Sequence, residues 1–169
     1  GVLNRGQNDL KMNQYDAKTG DYITTLFEEK DAKYVEPQNP LLFFPNSTTD
    51  FIWQSQRTGY NHLFHYNLSK GLVSQLTKGD WLVTEILGFN EKKKQVYFVA
   101  TKETPLEKHL YRINWSNFKI EKLDTENGVH SGILSKDGSE LLDVFSNADT
   151  PRKIEIINTN SLKKNAILV

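Results

Sequence analysis

The sequence predicts an all-β protein, and three observations lead to this prediction. Apolar residues occur in short runs or alternate with polar residues, and helical periodicity is nearly absent. The runs are rich in β-branched and aromatic residues, which favour strands. Turn-forming segments such as Lys18–Asp21 and Lys136–Ser139 separate the runs. About a dozen strands with short connections are therefore expected.

Each predicted strand is an apolar run of strand length bounded by polar or turn-forming residues. In chain order the runs cover residues 10–12, 22–27, 41–44, 51–53, 63–66, 73–76, 83–87, 96–100, 110–113, 120–123, 132–134, 140–145 and 154–157, with a weaker run at 166–169. The turn Lys18–Asp21 joins the first two runs, and the basic run Lys92–Lys94 marks a solvated hairpin tip. The pair Asp137-Gly138 is typical of a tight hairpin between the runs at 132–134 and 140–145.

A repeat organises these strands into blades. Leu10, Leu63, Leu110 and Ile154 each open an apolar strand that a second strand follows, and they lie 53, 47 and 44 residues apart. The clearest cycle has a turn and a Trp81-bearing strand in residues 75–84, an apolar strand at 96–100 and a Leu-Tyr strand near 110. Four antiparallel strands per ~45 residues are the meander of a β-propeller blade, whereas a β-sandwich needs no such period.

The repeat predicts blade-like units near residues 1–40, 41–82, 83–128 and 129–169. This makes roughly three and a half to four four-stranded blades, whereas closed propellers have about four to eight. We therefore expect an open arc of a larger propeller. The blunt start at Leu3 and the apolar run 166–169 at the end are typical of a piece of a longer protein. The uncovered blade faces predict self-association of the isolated chain.

Composition excludes several classes of function. Lys plus Arg and Asp plus Glu both number 21 among 169 residues, so no net field favours nucleic acid. The absence of cysteine excludes disulfides, thiol chemistry and Cys-ligated metals. No apolar run approaches the ~18 residues of a membrane span, and the N-terminus does not resemble a signal peptide. None of this assigns the chain to a compartment.

An ordered series of motifs resembles the propeller of the dipeptidyl peptidase IV family. Its centre is the segment 51–64, in which an apolar strand is followed by Ser55, Gly59-Tyr60, His62-Leu63 and an aromatic residue. The remaining motifs are Leu3-Asn4-Arg5, Gln7-Asn8, Tyr15-Asp16, Leu76-Thr77, Gly79, Trp81-Leu82-Val83, Val96-Tyr97-Phe98, His109-Leu110-Tyr111, Gly128, His130-Ser131, Ser135, Asp143 and Ser146 to Pro151. Together they cover nearly the whole chain.

The resemblance implies a parent serine peptidase of the prolyl oligopeptidase type, which removes dipeptides from peptide N-termini, usually after Pro or Ala. In this family an eight-bladed propeller lies over an α/β-hydrolase domain. This chain resembles the C-terminal half of the propeller, so the catalytic triad and the paired glutamates that hold the substrate amine are expected outside it. Glu28-Glu29 is not assigned as that pair, since we place it in a turn after the strand 22–27. The loop Ala32–Asn39 is shorter than in the family, so no substrate-contacting Phe or Arg is assigned there.

No residue is assigned to catalysis, metal binding or a cofactor, and substrate-binding residues stay unknown. The string Gly128-Val129-His130-Ser131-Gly132 approximates the Gly-x-Ser-x-Gly turn of serine hydrolases, but Ser131 is one place late and a structural turn is expected. His62 and His65 should lie on opposite faces of a strand and therefore cannot share one metal. His62 and His109 occupy the same repeat position, which indicates a structural role.

Other candidate residues have a structural and a functional interpretation. Arg57 could face a channel, but a hairpin hydrogen bond or an ion pair is favoured. Asp80 could cap a turn between blades. Trp53, Trp81 and Trp115 could bind sugars, although packing between blades is the commoner use. The sequons at Asn46, Asn67 and Asn114 fit Asn- and Ser-rich turns.

The functional hypothesis is a non-catalytic propeller segment that limits the access of peptides to a hydrolase domain. Two alternatives stay open: a stand-alone propeller for protein interactions, and a carbohydrate-binding propeller that uses the tryptophans. By itself the segment is not expected to be an enzyme. The expected partners are the C-terminal α/β-hydrolase domain and, through the parent protein, peptide substrates, but not nucleic acid. By resemblance the parent is periplasmic, secreted or membrane-attached.

Overall fold

The computed structural model describes residues 1–167, which contain fifteen β-strands and no helix. The strands are β1 (Val2–Leu3), β2 (Asp9–Tyr15), β3 (Tyr22–Lys30), β4 (Leu42–Phe43), β5 (Asp50–Ser55), β6 (His62–Asn67), β7 (Gly71–Gln75), β8 (Val83–Asn90), β9 (Gln95–Ala100), β10 (His109–Asn114), β11 (Ile120–Lys122), β12 (Val129–Leu134), β13 (Glu140–Ser146), β14 (Lys153–Asn158) and β15 (Lys164–Ile167). The predicted all-β class is confirmed. No helical segment of the described residues has the length and hydropathy that crossing a membrane requires.

The strands form four antiparallel meanders. Sheet A is β1-β2-β3, sheet B is β4-β5-β6-β7, sheet C is β8-β9-β10-β11 and sheet D is β12-β13-β14-β15. Each strand pairs with the next one along the chain, as in the blade predicted from the repeat. The chain divides into two compact units, unit 1 (Gly1–Gln75) with sheets A and B and unit 2 (Leu76–Val169) with sheets C and D.

Four local expectations need correction or qualification. Glu28 and Glu29 lie on β3, which continues to Lys30, and not in a turn after it. Trp81 lies in a bend before β8 rather than on the strand. Ser131 is in the middle of β12 and not in a turn. The strand expected at 166–169 occupies Lys164–Ile167, and residues 168 and 169 lie outside the described part.

The repeated aliphatic residue has the same place in every sheet. Leu10, Leu63, Leu110 and Ile154 are the second residues of β2, β6, β10 and β14, respectively. The three leucines are at most 2% exposed, while Ile154 is half-buried. His62 and His109 are the first residues of β6 and β10, as the repeat predicts. The repeat therefore marks one position on the strand that precedes the last strand of each sheet, and this position is buried in sheets A, B and C.

The hairpin after that strand is also repeated. It carries Asp16, Asn67, Asn114 or Asn158, whose Oδ1 accepts hydrogen bonds of 2.8–3.2 Å from the backbone N–H groups two and three residues later. The fourth residue after each has a positive φ: Gly20, Gly71, Phe118 and Leu162. Asn and Asp stabilise such turns because their short side chains reach the local backbone. The sequons at Asn67 and Asn114 therefore coincide with structural turn residues.

Each unit has an apolar core between its two sheets. In unit 1, Leu10 and Phe27 of sheet A pack with Phe51, Trp53, Phe64 and Tyr66 of sheet B, and the ring centroids of Phe27 and Tyr66 are 4.6 Å apart. In unit 2, the core contains Tyr97, Val99, Leu110 and Leu123 with Leu141 and Ile157 of sheet D. The first strand of sheet D, β12, contacts β8, β9 and β10 of sheet C.

Gly132 permits the close approach of β12 to sheet C. A Cβ atom at this position would lie 2.8 Å from Leu87 Cδ1 and 3.0 Å from Leu110 Cδ2. Both distances are shorter than an ordinary carbon–carbon contact of about 3.5–4.0 Å. The glycine thus brings the side chains of β12, including that of His130, against the neighbouring sheet.

We predict that Leu110→Ala lowers the free energy of unfolding by about 3 kcal/mol, because it removes a fully buried side chain from the unit 2 core. Chemical denaturation of the full chain measures the change. The matched control is Leu106→Ala, since Leu106 is four residues away and 87% exposed. Its effect should stay within about 0.5 kcal/mol. Equal effects of the two substitutions would contradict the role of the repeated leucine.

Candidate functional site

A buried carboxylate is the centre of the polar site in unit 1. Glu29 lies on β3 with only 8% of its surface exposed, and alternation along the strand turns it inwards while Glu28 faces solvent. Its Oε2 accepts a hydrogen bond of 2.9 Å from Trp53 Nε1, and its Oε1 accepts one from Ser55 Oγ. A buried carboxylate requires such partners, because leaving it unpaired is costly. Glu29 therefore joins sheets A and B.

Arg57 completes this cluster immediately after β5. Its Nη2 lies 3.2 Å from Glu29 Oε2, its Nη1 donates to the Tyr66 hydroxyl at 2.6 Å, and its Nε donates to Ser55 Oγ at 3.0 Å. The guanidinium also lies 4.8 Å from the centroid of the Phe64 ring, within cation–π range. Burial raises the pKa of Tyr66 although Arg57 acts to lower it, so the phenol stays protonated. The structure thus supports the ion-pair interpretation of Arg57.

A cavity of about 250 Å³ opens beside the cluster. Glu29, Trp53, Ser55 and Arg57 line it together with Lys30, Asp31, Lys33, Tyr34, Val35, Glu36, Pro37, Gln54, Gln56 and Gly59. Its outer residues carry both positive and negative charges, so the cavity does not favour ligands of one charge. A hydrogen bond of 2.6 Å from Asn39 Nδ2 to Gln54 Oε1 connects the loop that borders the cavity to β5.

The polar groups of this cavity hold one another and do not form a nucleophile–base pair. The Ser55 hydroxyl donates to Glu29 and accepts from the backbone N–H of Arg57 at 3.1 Å and from its Nε at 3.0 Å. Its one proton and two lone pairs are therefore used. The arrangement can bind polar groups at its mouth, but its buried centre is a structural ion-pair network.

A second polar cluster is buried in unit 2, between sheets C and D. His109 at the start of β10 contacts Asp124 Oδ1 through Nδ1 at 2.7 Å and Glu107 Oε2 through Nε2 at 3.0 Å. His130 on β12 contacts Asp143 Oδ2 through Nδ1 at 2.8 Å and the Glu126 carbonyl oxygen through Nε2 at 3.0 Å. Both imidazoles are fully buried, and their ring centroids are 5.3 Å apart.

Backbone pairing brings the two histidines together. Lys108 and Val129 form a parallel bridge, in which Lys108 N donates to Gly128 O at 3.1 Å and His130 N donates to Lys108 O at 2.9 Å. Burial acts to lower the pKa of His130, but the hydrogen bond and charge of Asp143 outweigh it and raise this pKa. The His130 ring therefore favours the protonated form when both of its nitrogens face acceptors.

The structure places the other sequence candidates in packing and turn roles. Ser131 is exposed on β12, and the neighbouring His130 points to Asp143 rather than to the serine. His65, in unit 1, contacts Asp50 Oδ1 through its Nε2 at 2.8 Å. It is three residues from His62 on β6, so the two histidines lie on opposite faces of this strand. Asp80 is exposed in the bend before Trp81.

The tryptophans pack against neighbouring aromatic rings. Trp53 is buried and bonds to Glu29, and the buried Trp81 stacks on Phe98 with ring centroids 6.4 Å apart. Trp115 makes an edge contact with Phe89 at 6.3 Å. These contacts favour the packing interpretation over sugar binding.

Sequence reasoning missed Glu29, Asp124 and Asp143 as site residues. Glu29 lies 24 residues from Trp53 and 28 from Arg57, while Asp124 and Asp143 lie 15 and 13 residues from their histidines. No local spacing marks such pairs. A weaker signal is the repeat itself: each of His65, His109 and His130 has a carboxylate partner 13–15 residues away along the chain.

Comparison with known proteins assigns the chain to a family. A model of the dipeptidyl peptidase IV (DPP IV) N-terminal region matches residues 1–152. The chain belongs to this family. The resemblance of the motifs from Leu3 to Pro151 to the DPP IV propeller is therefore confirmed.

Individual relatives agree with the family match. The chain is 32% identical over 133 residues to an Aspergillus flavus protein named as a probable dipeptidyl peptidase 4, covering 78% of this chain and 17% of that protein. A crystal structure from Bacteroides ovatus, assigned as a dipeptidyl aminopeptidase IV, superposes with a TM-score of 0.89 at 42% identity over 99% of this chain and 26% of that one. Dipeptidyl peptidase 4 of Porphyromonas gingivalis has the same fold, with a TM-score of 0.87 at 23% identity over 99% of this chain and 23% of that one.

These matches confirm the fold class as part of a DPP IV β-propeller, with one three-stranded and three four-stranded sheets among the described residues. The chain spans 17% of the length of the A. flavus relative and 26% of the length of the B. ovatus chain.

We predict that Glu29→Gln lowers the free energy of unfolding by about 3 kcal/mol, because it leaves the Arg57 guanidinium without its counter-ion in a mostly buried site. Urea denaturation of the full chain measures this change. The control is Glu28→Gln on the adjacent, exposed position, whose ion pairs with Lys11 and Lys30 lie at the surface. The control should leave stability essentially unchanged, and an equal loss in both variants would contradict the assigned role of Glu29.

We predict that Asp50 contributes to acid sensitivity. Burial acts to raise its pKa, but hydrogen bonds from His65, Thr49, Asn67 and Ser47 lower the pKa to about 2. A carboxylate whose folded-state pKa is lowered stabilises the fold above its usual pKa, and this stabilisation is lost as the pH falls from 3.8 towards about 2. Denaturation curves between these pH values should show a shallower loss of stability for Asp50→Asn than for the unsubstituted chain. Identical slopes would refute the prediction.

Proposed function

We propose that this chain is the non-catalytic propeller segment of a serine dipeptidyl peptidase, in which the propeller limits the access of substrates to a hydrolase domain. The observation that carries the proposal is the family match over residues 1–152, together with the 42% identical B. ovatus structure that covers 99% of the chain. In this proposal the units near 1–40, 41–82, 83–128 and 129–169 are successive blades, and the hydrolase domain is their partner.

The described polar groups are suited to a rigid scaffold. Ser55 and Arg57 are held by Glu29, and His109 and His130 are held by buried carboxylates. A rigid wall contributes to specificity by excluding substrates that cannot enter, without taking part in bond cleavage. Short peptides and unfolded chain ends would pass such a wall, whereas folded proteins would not.

Exposed apolar side chains support contacts with further protein surface. Leu72 and Val73 on β7, the edge strand of sheet B, are 50% and 46% exposed. Apolar groups on an unpaired edge strand favour association. Self-association of the isolated chain is part of the proposal.

The test uses the complete reading frame that encodes this chain. We expect the encoded protein to hydrolyse a Gly-Pro chromogenic dipeptide and a short peptide that begins with Gly-Pro. It should cleave the same N-terminus on a folded protein at least about tenfold less efficiently in kcat/KM. In Leu110→Ala, which loosens the unit 2 core, the ratio of folded-substrate to short-peptide cleavage should rise.

Two results would overturn the proposal. Equal kcat/KM for the short peptide and the folded substrate would refute the restriction of access. A reading frame without a downstream Gly-x-Ser-x-Gly motif and its Asp and His would favour a stand-alone interaction propeller. The chain of 169 residues, assayed alone, is the control for activity that does not come from a hydrolase domain.

A further inference from the structure

Three potential metal ligands meet in the buried cluster of unit 2. A ring nitrogen of His109, a carboxylate oxygen of Asp124 and a ring nitrogen of His130 all lie within 4.8 Å of one another, and all three residues are buried. Asp124 Oδ1 is 2.7 Å from His109 Nδ1 and 3.7 Å from His130 Nε2. These separations lie on either side of the roughly 3.3 Å between two ligands of a tetrahedral zinc ion with bonds of about 2.0–2.1 Å. A movement of the carboxylate by less than about 1 Å would equalise them.

The surrounding groups orient these ligands in the way that metal sites require. A metal-bound histidine usually donates its second N–H to a carboxylate, which fixes the tautomer and the ring orientation. His109 has Glu107 Oε2 at 3.0 Å from Nε2, so its Nδ1 is directed to the cluster. His130 has Asp143 Oδ2 at 2.8 Å from Nδ1, so its Nε2 is directed there. Asp124 is held from behind by the backbone N–H of Leu110, at 2.6 Å from Oδ2.

With both histidines neutral, the charged side chains of the cluster have a net charge of minus two. Glu107, Asp124 and Asp143 are three carboxylates, and Lys122 Nζ, 3.5 Å from Asp124 Oδ1, is one cation. Buried charge must be compensated, because uncompensated ions are costly in a medium of low dielectric constant. One divalent cation would provide the compensation.

We propose that His109 Nδ1, His130 Nε2 and Asp124 Oδ1 bind a divalent transition-metal ion of the Zn²⁺ type. The carbonyl oxygen of Glu126, 3.0 Å from His130 Nε2, is placed to be the fourth ligand. Two imidazoles select for Zn²⁺ and similar ions over Mg²⁺ and Ca²⁺, which prefer oxygen ligands alone. The site would be structural, since a closed four-ligand set in a buried position ties sheet C to sheet D. It lies within unit 2 and does not depend on the proposed peptidase role.

No metal site was expected from the sequence, because His62 and His65 should lie on opposite faces of a strand and the shared repeat position of His62 and His109 indicated a structural role. His109 and His130 are 21 residues apart, and the parallel bridge between Lys108 and Val129 brings them together. The cluster therefore became visible only in the folded chain.

The test is metal binding to the full chain after treatment with a chelator. Isothermal titration with Zn²⁺ near neutral pH should show one ion bound per chain. The observed heat should vary with the ionisation enthalpy of the buffer, because metal binding releases protons. Co²⁺ should give the intense visible absorption of a four-coordinate ion. Weak absorption typical of a six-coordinate ion, or no saturable Zn²⁺ binding, would overturn the proposal.

Variants separate this site from adventitious binding at the surface. Glu107→Gln should weaken Zn²⁺ binding about 10- to 100-fold, because it removes the carboxylate that orients His109. Glu103→Gln is the matched control in the same loop, since Glu103 bonds to the Tyr111 hydroxyl at 2.9 Å, and it should change the affinity far less. Lys122→Gln should strengthen binding, because it removes the competing cation beside Asp124.

The gain expected for Lys122→Gln cannot result from misfolding, so it keeps the test independent of stability. If Glu107→Gln, Lys122→Gln and the unsubstituted chain bind Zn²⁺ equally, the binding is adventitious and the proposal is wrong. His65→Gln gives a final control, because His65 pairs with Asp50 in unit 1 and should not influence the Co²⁺ spectrum.

Discussion

Within each unit, the packing of one antiparallel sheet on the next determines where the apolar core and the polar clusters lie. A meander of three or four strands cannot bury an apolar face alone, so each sheet needs a neighbour to form a core. The buried leucines at the second position of β2 and β10 belong to the cores of unit 1 and unit 2, respectively. Gly132 shows how close the approach is in unit 2, where a single added Cβ would contact Leu87 and Leu110.

The same packing explains why the polar sites are buried pairs. When two sheets pack against each other, carboxylates at the contact lose water and must find donors within it. Glu29 of sheet A finds Trp53 and Arg57 next to sheet B. In unit 2, His130 lies against His109, and each imidazole has its own carboxylate. The clusters are therefore products of sheet packing.

Much of the fold was predictable because its signals are local. A repeated leucine, an Asp or Asn at the following turn and apolar runs of strand length depend on residues within a few positions of one another. The wrong predictions also have local causes. Glu28 and Glu29 are charged, so a turn was expected, but β3 continues because Glu29 has buried partners on sheet B. Ser131 lies between Gly128 and Gly132, so a turn was expected, yet pairing of β12 with β13 makes the segment a strand.

The all-β class, the blade repeat and the resemblance to the DPP IV family follow from the sequence alone, because each rests on residue type and short spacing. For Arg57 and the tryptophans, the sequence favoured structural roles and left functional ones open. Which carboxylate meets which donor depends on how the sheets pack. Glu29 and Arg57 are 28 residues apart, and Asp124 stands between His109 and His130 only after sheets C and D pack together. The physical reason is that hydrogen bonds and ion pairs act over about 3 Å in space, whatever the separation along the chain.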